Sequence, residues 1–179
     1  MLQKYSMWKT ASIFFRNPTT LMYLMGISRE IRIAHTSVKA NLKILVHEKI
    51  ITEEIEKRGK RRFPAYRANI NSQEYRKYKR IYNFSSIIES GLVEYLEEKI
   101  MPRSIVLFGS YQKGEDTEKS DIDLFIEAPQ SEIEIKSFQK SLQRKIQLYF
   151  NESFGALPKE LKNNIINGIV LYGDLEVLK

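Results

Sequence analysis

The segment FGSYQKGEDTEKSDIDLFIE, residues 108–127, most narrows what this chain can fold into. An apolar run, SIVLF, leads into Gly109 and Ser110, and SDIDLFIE comes after a polar spacer. The pattern predicts strand, Gly-Ser turn, polar loop, strand. Alternate residues of a strand face the same way. Asp121 and Asp123 therefore point to one side, while Ile122, Leu124 and Ile126 build the other. Glycine at 109 lets the backbone approach a ligand closely, Ser110 adds a hydroxyl, and the next N–H groups can meet phosphate oxygens. Two neighbouring carboxylates repel each other unless a cation lies between them, and hard oxygen ligands suit Mg²⁺ (or Mn²⁺). Gly109 and Gly114 have the spacing of a P-loop, but Glu115 and Asp116 stand where Lys and Ser or Thr are needed. Acids there would repel phosphate, which argues against a Walker-type NTPase.

These residues resemble the G-S-x(about 10)-D-x-D signature of the DNA polymerase β-like nucleotidyltransferases, and most closely the minimal nucleotidyltransferases, often written G-S-x-A-R-G…S-D-I-D-L. The resemblance extends over about residues 87–175 and includes IINGIVLYGD, which looks like the family's closing helix and strand. It implies a small mixed sheet flanked by helices. It also implies that Gly109, Ser110 and Lys113 hold the triphosphate of an NTP such as ATP, that Asp121 and Asp123 bind metal as the catalytic pair, and that Ser120 orients the site. Lys113 stands where the family often has Arg, and supplies charge without a bidentate fork. The family's third carboxylate, on a later strand, aligns with Gln147 in RKIQLYF. Glu127, Glu152 and Asp116 are its possible substitutes.

The front of the chain has a different balance. Residues 1–71 hold 14 Lys and Arg against 5 Asp and Glu, a net +9, whereas residues 101–179 hold 10 against 12, a net −2. This asymmetry predicts two units with different partners. WKTASIFFRNP has a helical rhythm ended by Pro18, and TTLMYLMGISREIRI supplies a second helix. HTSVKANLKILVHEKII places Val38, Leu42, Leu45 and Val46 on one face of a third, with Thr36 or Ser37 capping its start. IITEEIE and RRFPAYRA then read as a hairpin with Gly59 at its tip. Three short helices and a basic hairpin resemble the winged helix-turn-helix family over roughly residues 7–69. That resemblance implies double-stranded DNA as partner. The third helix would present Thr36, Ser37, Lys39 and Lys43 to the major groove. The wing would present Lys57, Arg58, Lys60, Arg61 and Arg62 to phosphates or a minor groove. The same module also serves elsewhere for protein docking or dimerisation.

Between the two, NSQEYRKYKRIYNFSSIIESGLVEYLEEKIMP predicts one long helix or two in sequence, capped by Asn71 or Ser72, bent at Gly91 and ended by Pro102. The expected architecture is α/β (α+β): a winged helix-turn-helix at 1–70, a helical connector at 71–101 that doubles as a dimer surface, and a nucleotidyltransferase-like domain at 102–179. The absence of cysteine excludes disulfides and thiolate metal sites, and two histidines cannot complete a metal site alone. No apolar run approaches the roughly 20 residues of a membrane span, which predicts a cytoplasmic protein without a membrane partner. Two functions compete. One is Mg²⁺-dependent transfer of a nucleoside monophosphate to a hydroxyl, with a partner toxin protein as acceptor in the antitoxin-like case. The other is a non-catalytic DNA-binding transcriptional regulator that senses nucleotide through a degenerate nucleotidyltransferase domain.

Overall fold

The computed structural model describes residues 6–177, the side chain of Arg58 excepted. The chain forms two compact units, residues 1–79 and 80–179, and the division falls within a helix.

The first unit runs α1 (Ser6–Arg16), β1 (Met22–Tyr23), α2 (Leu24–Ile31), α3 (His35–His47), β2 (Ile51–Arg58) and β3 (Arg61–Ala68). Its sheet is antiparallel in the order β1-β3-β2. The expected second helix is shorter than LMYLMGISREI suggests, because Met22 and Tyr23 pair with Tyr66 and Ala65 as a two-residue strand. Ile13, Phe14, Phe15, Ile27, Val38, Leu42 and Leu45 are buried together with Ile51 and Ala65. Burying such side chains is worth about 1.5–3 kcal/mol each, and this holds three short helices on one small sheet. Inside the layer, Asn41 donates its amide to Thr10 Oγ1 at 2.9 Å, and Thr10 donates to the Ser6 carbonyl at 2.8 Å. The pair ties α3 to α1. Thr36 and Ser37 do not cap α3. Ala34 occupies the N-cap without a side-chain bond, so both hydroxyl residues lie inside the first turn.

Helix α4 (Gln73–Glu89) is capped by Ser72, whose Oγ accepts the Tyr75 N–H at 3.3 Å. Its first half belongs to the first unit. Tyr75 donates to the Phe14 carbonyl at 3.3 Å and the buried Lys79 ammonium to the Phe15 carbonyl at 2.6 Å, satisfying the C-terminal end of α1.

The second unit takes the rest of α4, then α5 (Leu92–Ile100), β4 (Ser104–Phe108), α6 (Gly109–Lys113), β5 (Ile122–Glu127), α7 (Lys136–Leu142), β6 (Ile146–Asn151), α8 (Lys159–Ile166) and β7 (Ile169–Gly173). The sheet order is β6-β5-β4-β7, with β5 and β6 parallel and the other neighbours antiparallel. It is the small mixed sheet the sequence predicts. Period-two alternation splits β4 and β5 between two cores. Ile105, Leu107, Ile122, Leu124 and Ile126 pack with Ile87, Leu92 and Leu96. Val106, Phe108 and Phe125 pack with Phe154, Leu157 and Ile165. Among the described residues no helix is long and apolar enough to cross a membrane.

Candidate active site

The site grows out of one row of the sheet. Phe108 ends β4 opposite Asp123, and Asp123 stands in register with Gln147 on the parallel strand β6. Strand periodicity puts Asp123 and Phe125 on one face, the face of the Phe125–Phe154 core, and Asp121, the residue just before β5, is drawn to the same row by the Gln147 amide at 2.6 Å. Asp123 therefore sits at the margin of an apolar cluster. Burial, chiefly, raises its pKa above the ordinary carboxylate range; a hydrogen bond from Tyr149 lowers it, and the charge of Asp121 raises it further. A carboxylate held in a site that disfavours its charge is poised for a cation.

The expected Gly-Ser turn is the start of a helix. Gly109 opens α6 directly after β4, with φ +78°. That left-handed conformation favours glycine, and space demands it too: a Cβ there would lie 2.4 Å from Asp123 Oδ2. The missing side chain keeps one carboxylate oxygen of Asp123 open. Gly114, φ +69°, caps the other end of α6, so the second glycine of the apparent P-loop spacing is a helix terminator. Gly109→Ala should cost roughly 1–3 kcal/mol of stability through the backbone conformation. It should also push the Asp123 carboxylate aside, weakening Mg²⁺–nucleotide binding; chemical denaturation and calorimetry read the two effects separately.

The other predicted residues fall around this row. Ser110 succeeds Gly109 in the first turn of α6, and Lys113, the last residue of α6, is exposed. Ser120 Oγ accepts the Thr117 N–H at 2.9 Å and so closes the spacer loop just before Asp121. The loop is anchored from below. Buried Asp116 accepts from Asn83 at 2.7 Å and lies 3.8 Å from the Arg144 guanidinium. Beside Asp121 opens a cleft of about 710 Å³ whose lining includes Lys119, Lys140, Arg144 and Lys145.

Gln147 occupies the third position and shares the face of the two acids. Its Nε2 donates to Asp121 Oδ2 at 2.6 Å, and its Oε1 accepts from the Tyr149 hydroxyl at 3.1 Å. The amide oxygen, the atom able to ligate a metal, is thus turned toward Tyr149. None of the possible substitutes reaches the pair. Glu127 shares the strand face, but at about 3.3 Å per residue it stands roughly 13 Å from Asp123. It is buried between the Ser104 hydroxyl at 3.0 Å and the Phe154 N–H at 3.1 Å. Asp116 is committed to Asn83, and Glu152 lies beyond the end of β6. Among the described residues no group of three His, Cys, Asp or Glu gathers.

Tyr149 is the functional candidate that sequence reading missed. It stands two residues after Gln147, so strand alternation alone would have placed it on the same face. Its hydroxyl lies 3.4 Å from Asp123 Oδ1, and its ring packs on Phe108 at 5.3 Å. Burial first, then the Asp123 charge, raises the phenol pKa.

Residues 89–172 match the family described as the nucleotidyltransferase domain. The second unit carries a nucleotidyltransferase domain. Two relatives from Methanocaldococcus jannaschii, each bearing the name "Putative protein adenylyltransferase", align with short parts of the chain. One is 46% identical over 44 residues, 25% of this chain and 45% of the relative. The other is 56% identical over 32 residues, 18% of this chain and 32% of the relative. The chain thus spans less than half the length of the curated relatives it matches. No solved structure matches.

In the first unit, Thr36, Ser37, Lys39 and Lys43 are all exposed on α3, opposite its buried Val38, Leu42 and Leu45. Lys57, Lys60, Arg61 and Arg62 are exposed around the β2–β3 tip. The side chain of Arg58 lies outside the described residues.

Proposed function

We propose that the nucleotidyltransferase domain transfers a nucleoside monophosphate from an NTP to an acceptor hydroxyl. The observation that carries this is the open Gly109 set against Asp123 Oδ2, with Asp121 joined to the same row through Gln147. Such a donor set fits Mg²⁺, which is commonly held by one or two carboxylates together with substrate phosphates. A bound Mg²⁺ or Mn²⁺ would supply charge neutralisation for the triphosphate and the leaving pyrophosphate. Asp121 and Asp123 would hold it. The first N–H groups of α6, with Ser110, would meet the triphosphate, and Lys113 would add positive charge. Ser120 fixes the loop so that Asp121 stands next to Asp123. The basic lining of the neighbouring cleft suits an anionic ligand. A protein acceptor is the favoured one, since both aligned relatives are named for protein adenylylation, and a partner toxin is the case to examine first. Incubation with labelled ATP, GTP, CTP or UTP, Mg²⁺ and cell lysate tests the reading: label should appear on an acceptor, and its absence with every NTP would exclude transfer.

The first unit, with boundaries near 1–70, is proposed as a winged helix-turn-helix that binds double-stranded DNA. Its element order, the antiparallel β1-β3-β2 sheet, the exposed face of α3 and the basic hairpin tip support this. Replacing Lys60, Arg61 and Arg62 by Ala in the full chain should weaken binding to all duplexes alike and lower the salt slope by about one unit for each phosphate left unneutralised. Substitution at Thr36, Ser37 or Lys39 should alter sequence preference instead. Binding isotherms across a salt series distinguish the two.

Gln147 favours a second reading. A neutral amide where a third carboxylate is expected, with its nitrogen on Asp121, suits a regulator that senses nucleotide without turning it over. NTP-dependent change in DNA affinity without any labelled product would select it.

A further inference from the structure

We propose that Tyr149 is a nucleotidylation site of this chain, the acceptor in a self-modification carried out by its own domain; the inference rests on the transfer activity proposed above. An attacking hydroxyl must stand close to the carboxylates that govern the phosphate. Tyr149 meets this condition within the fold. Its hydroxyl is 3.4 Å from Asp123 Oδ1 and 3.1 Å from Gln147 Oε1. Gln147, which stands in register with Asp123, accepts the hydrogen bond of the hydroxyl at 3.1 Å and so holds the phenolic oxygen beside the acids.

Of the other hydroxyls placed at the site, Ser110 is assigned to the triphosphate and Ser120 accepts the Thr117 N–H in closing the loop. Tyr149 is held differently. Strand β6 fixes its backbone beside β5, and its ring rests on Phe108, the residue immediately before Gly109. Tyrosine is a competent covalent nucleophile. A bond forms between Tyr149 Oη and the α-phosphorus of the NTP. The bond from that phosphorus to the oxygen bridging to the β-phosphate breaks, and pyrophosphate leaves with the electron pair. The phenolic proton leaves to solvent. The product is a tyrosine phosphodiester, and its bulk covers Asp123, so the reaction stops at one event per chain.

The purified full chain is incubated with each NTP and Mg²⁺, then examined by intact mass and peptide mapping. The expected result is one added nucleoside monophosphate, mapped to Tyr149, with a plateau at no more than one per chain. Tyr149→Phe keeps the ring on Phe108, and should lose the adduct while retaining the rise in melting temperature that NTP and Mg²⁺ give the unsubstituted chain. An adduct on another residue, or equal labelling of Tyr149→Phe, overturns the proposal. So does an unlabelled chain beside labelled lysate proteins, which leaves the transfer reading standing. No label on the chain or on any lysate protein overturns both.

Discussion

Asp121→Asn combined with Asp123→Asn removes labelled transfer and metal-dependent nucleotide binding, yet the metal-free chain melts higher than the unsubstituted one. The first half stems from charge. If the two acids hold the cation that neutralises the triphosphate, losing both removes several kcal/mol of transition-state stabilisation. At about 1.4 kcal/mol per factor of ten, this is roughly a thousandfold or more. The second half stems from the site. Burial and the neighbouring Asp121 raise the pKa of Asp123, so at neutral pH the folded state bears a charge it disfavours. Asparagine removes that charge without emptying the position. Its amide oxygen can still accept from Tyr149 at 123 and from Gln147 Nε2 at 121, the two bonds that the carboxylates make here. Stability gained where function is lost marks a site kept strained for its task. Calorimetry with a non-hydrolysable NTP and melting curves in chelator read the two halves. A double variant with unchanged metal dependence would remove these residues from the site, and a lower melting temperature would show that they serve the fold.

What the sequence disclosed and what it hid divide along physical lines. Strand alternation is a local rule, so the expectation that Asp121 and Asp123 point to one side is read from it directly, whereas the closing helix and strand in IINGIVLYGD come from the family resemblance. The buried side of α3, from Val38 to Leu45, came in the same way from the helical period. The expected Gly-Ser turn is instead a helix start because the residues after it decide its shape. YQKG continues into a short helix only with Gly114 to end it. Strand β1 was hidden because two residues carry no period, and only pairing with β3 makes Met22 and Tyr23 extended. The anchoring of the spacer loop was equally out of reach. Asn83, Asp116 and Arg144 are far apart in the chain, and nothing local marks a buried Asn on a tyrosine-rich helix as a support for an acidic loop. Gln147 shows both sides. Its place beside the acids was legible from alignment with the family pattern, but the direction of its amide, nitrogen toward Asp121, is fixed by Tyr149 and emerges only in three dimensions.

That amide makes Gln147→Asp the more informative substitution. Strand β6 lies parallel beside β5 and Gln147 pairs in register with Asp123, so a carboxylate at 147 would join the two acids. Without metal, aspartate withdraws the donor now 2.6 Å from Asp121 Oδ2 and adds a like charge across the strands, which should cost up to about 1 kcal/mol. With Mg²⁺ the sign reverses, since a third carboxylate helps hold the ion and can take the proton of the acceptor hydroxyl. General-base assistance is typically worth about 10²–10⁴-fold, so transfer should rise within that range and the melting temperature should become Mg²⁺-dependent. Gln147→Glu separates charge from reach. Glutamate has the length of glutamine and would place its oxygen directly against Asp121, so it should destabilise the metal-free chain more than aspartate does. Aspartate, one methylene shorter, draws back toward the strand and leaves room for an ion among three acids. Melting curves with and without Mg²⁺, measured beside labelled transfer for both variants, give the comparison. An aspartate variant that gains neither Mg²⁺ response nor rate would remove position 147 from the metal site and leave the nucleotide-sensing regulator as the reading to pursue.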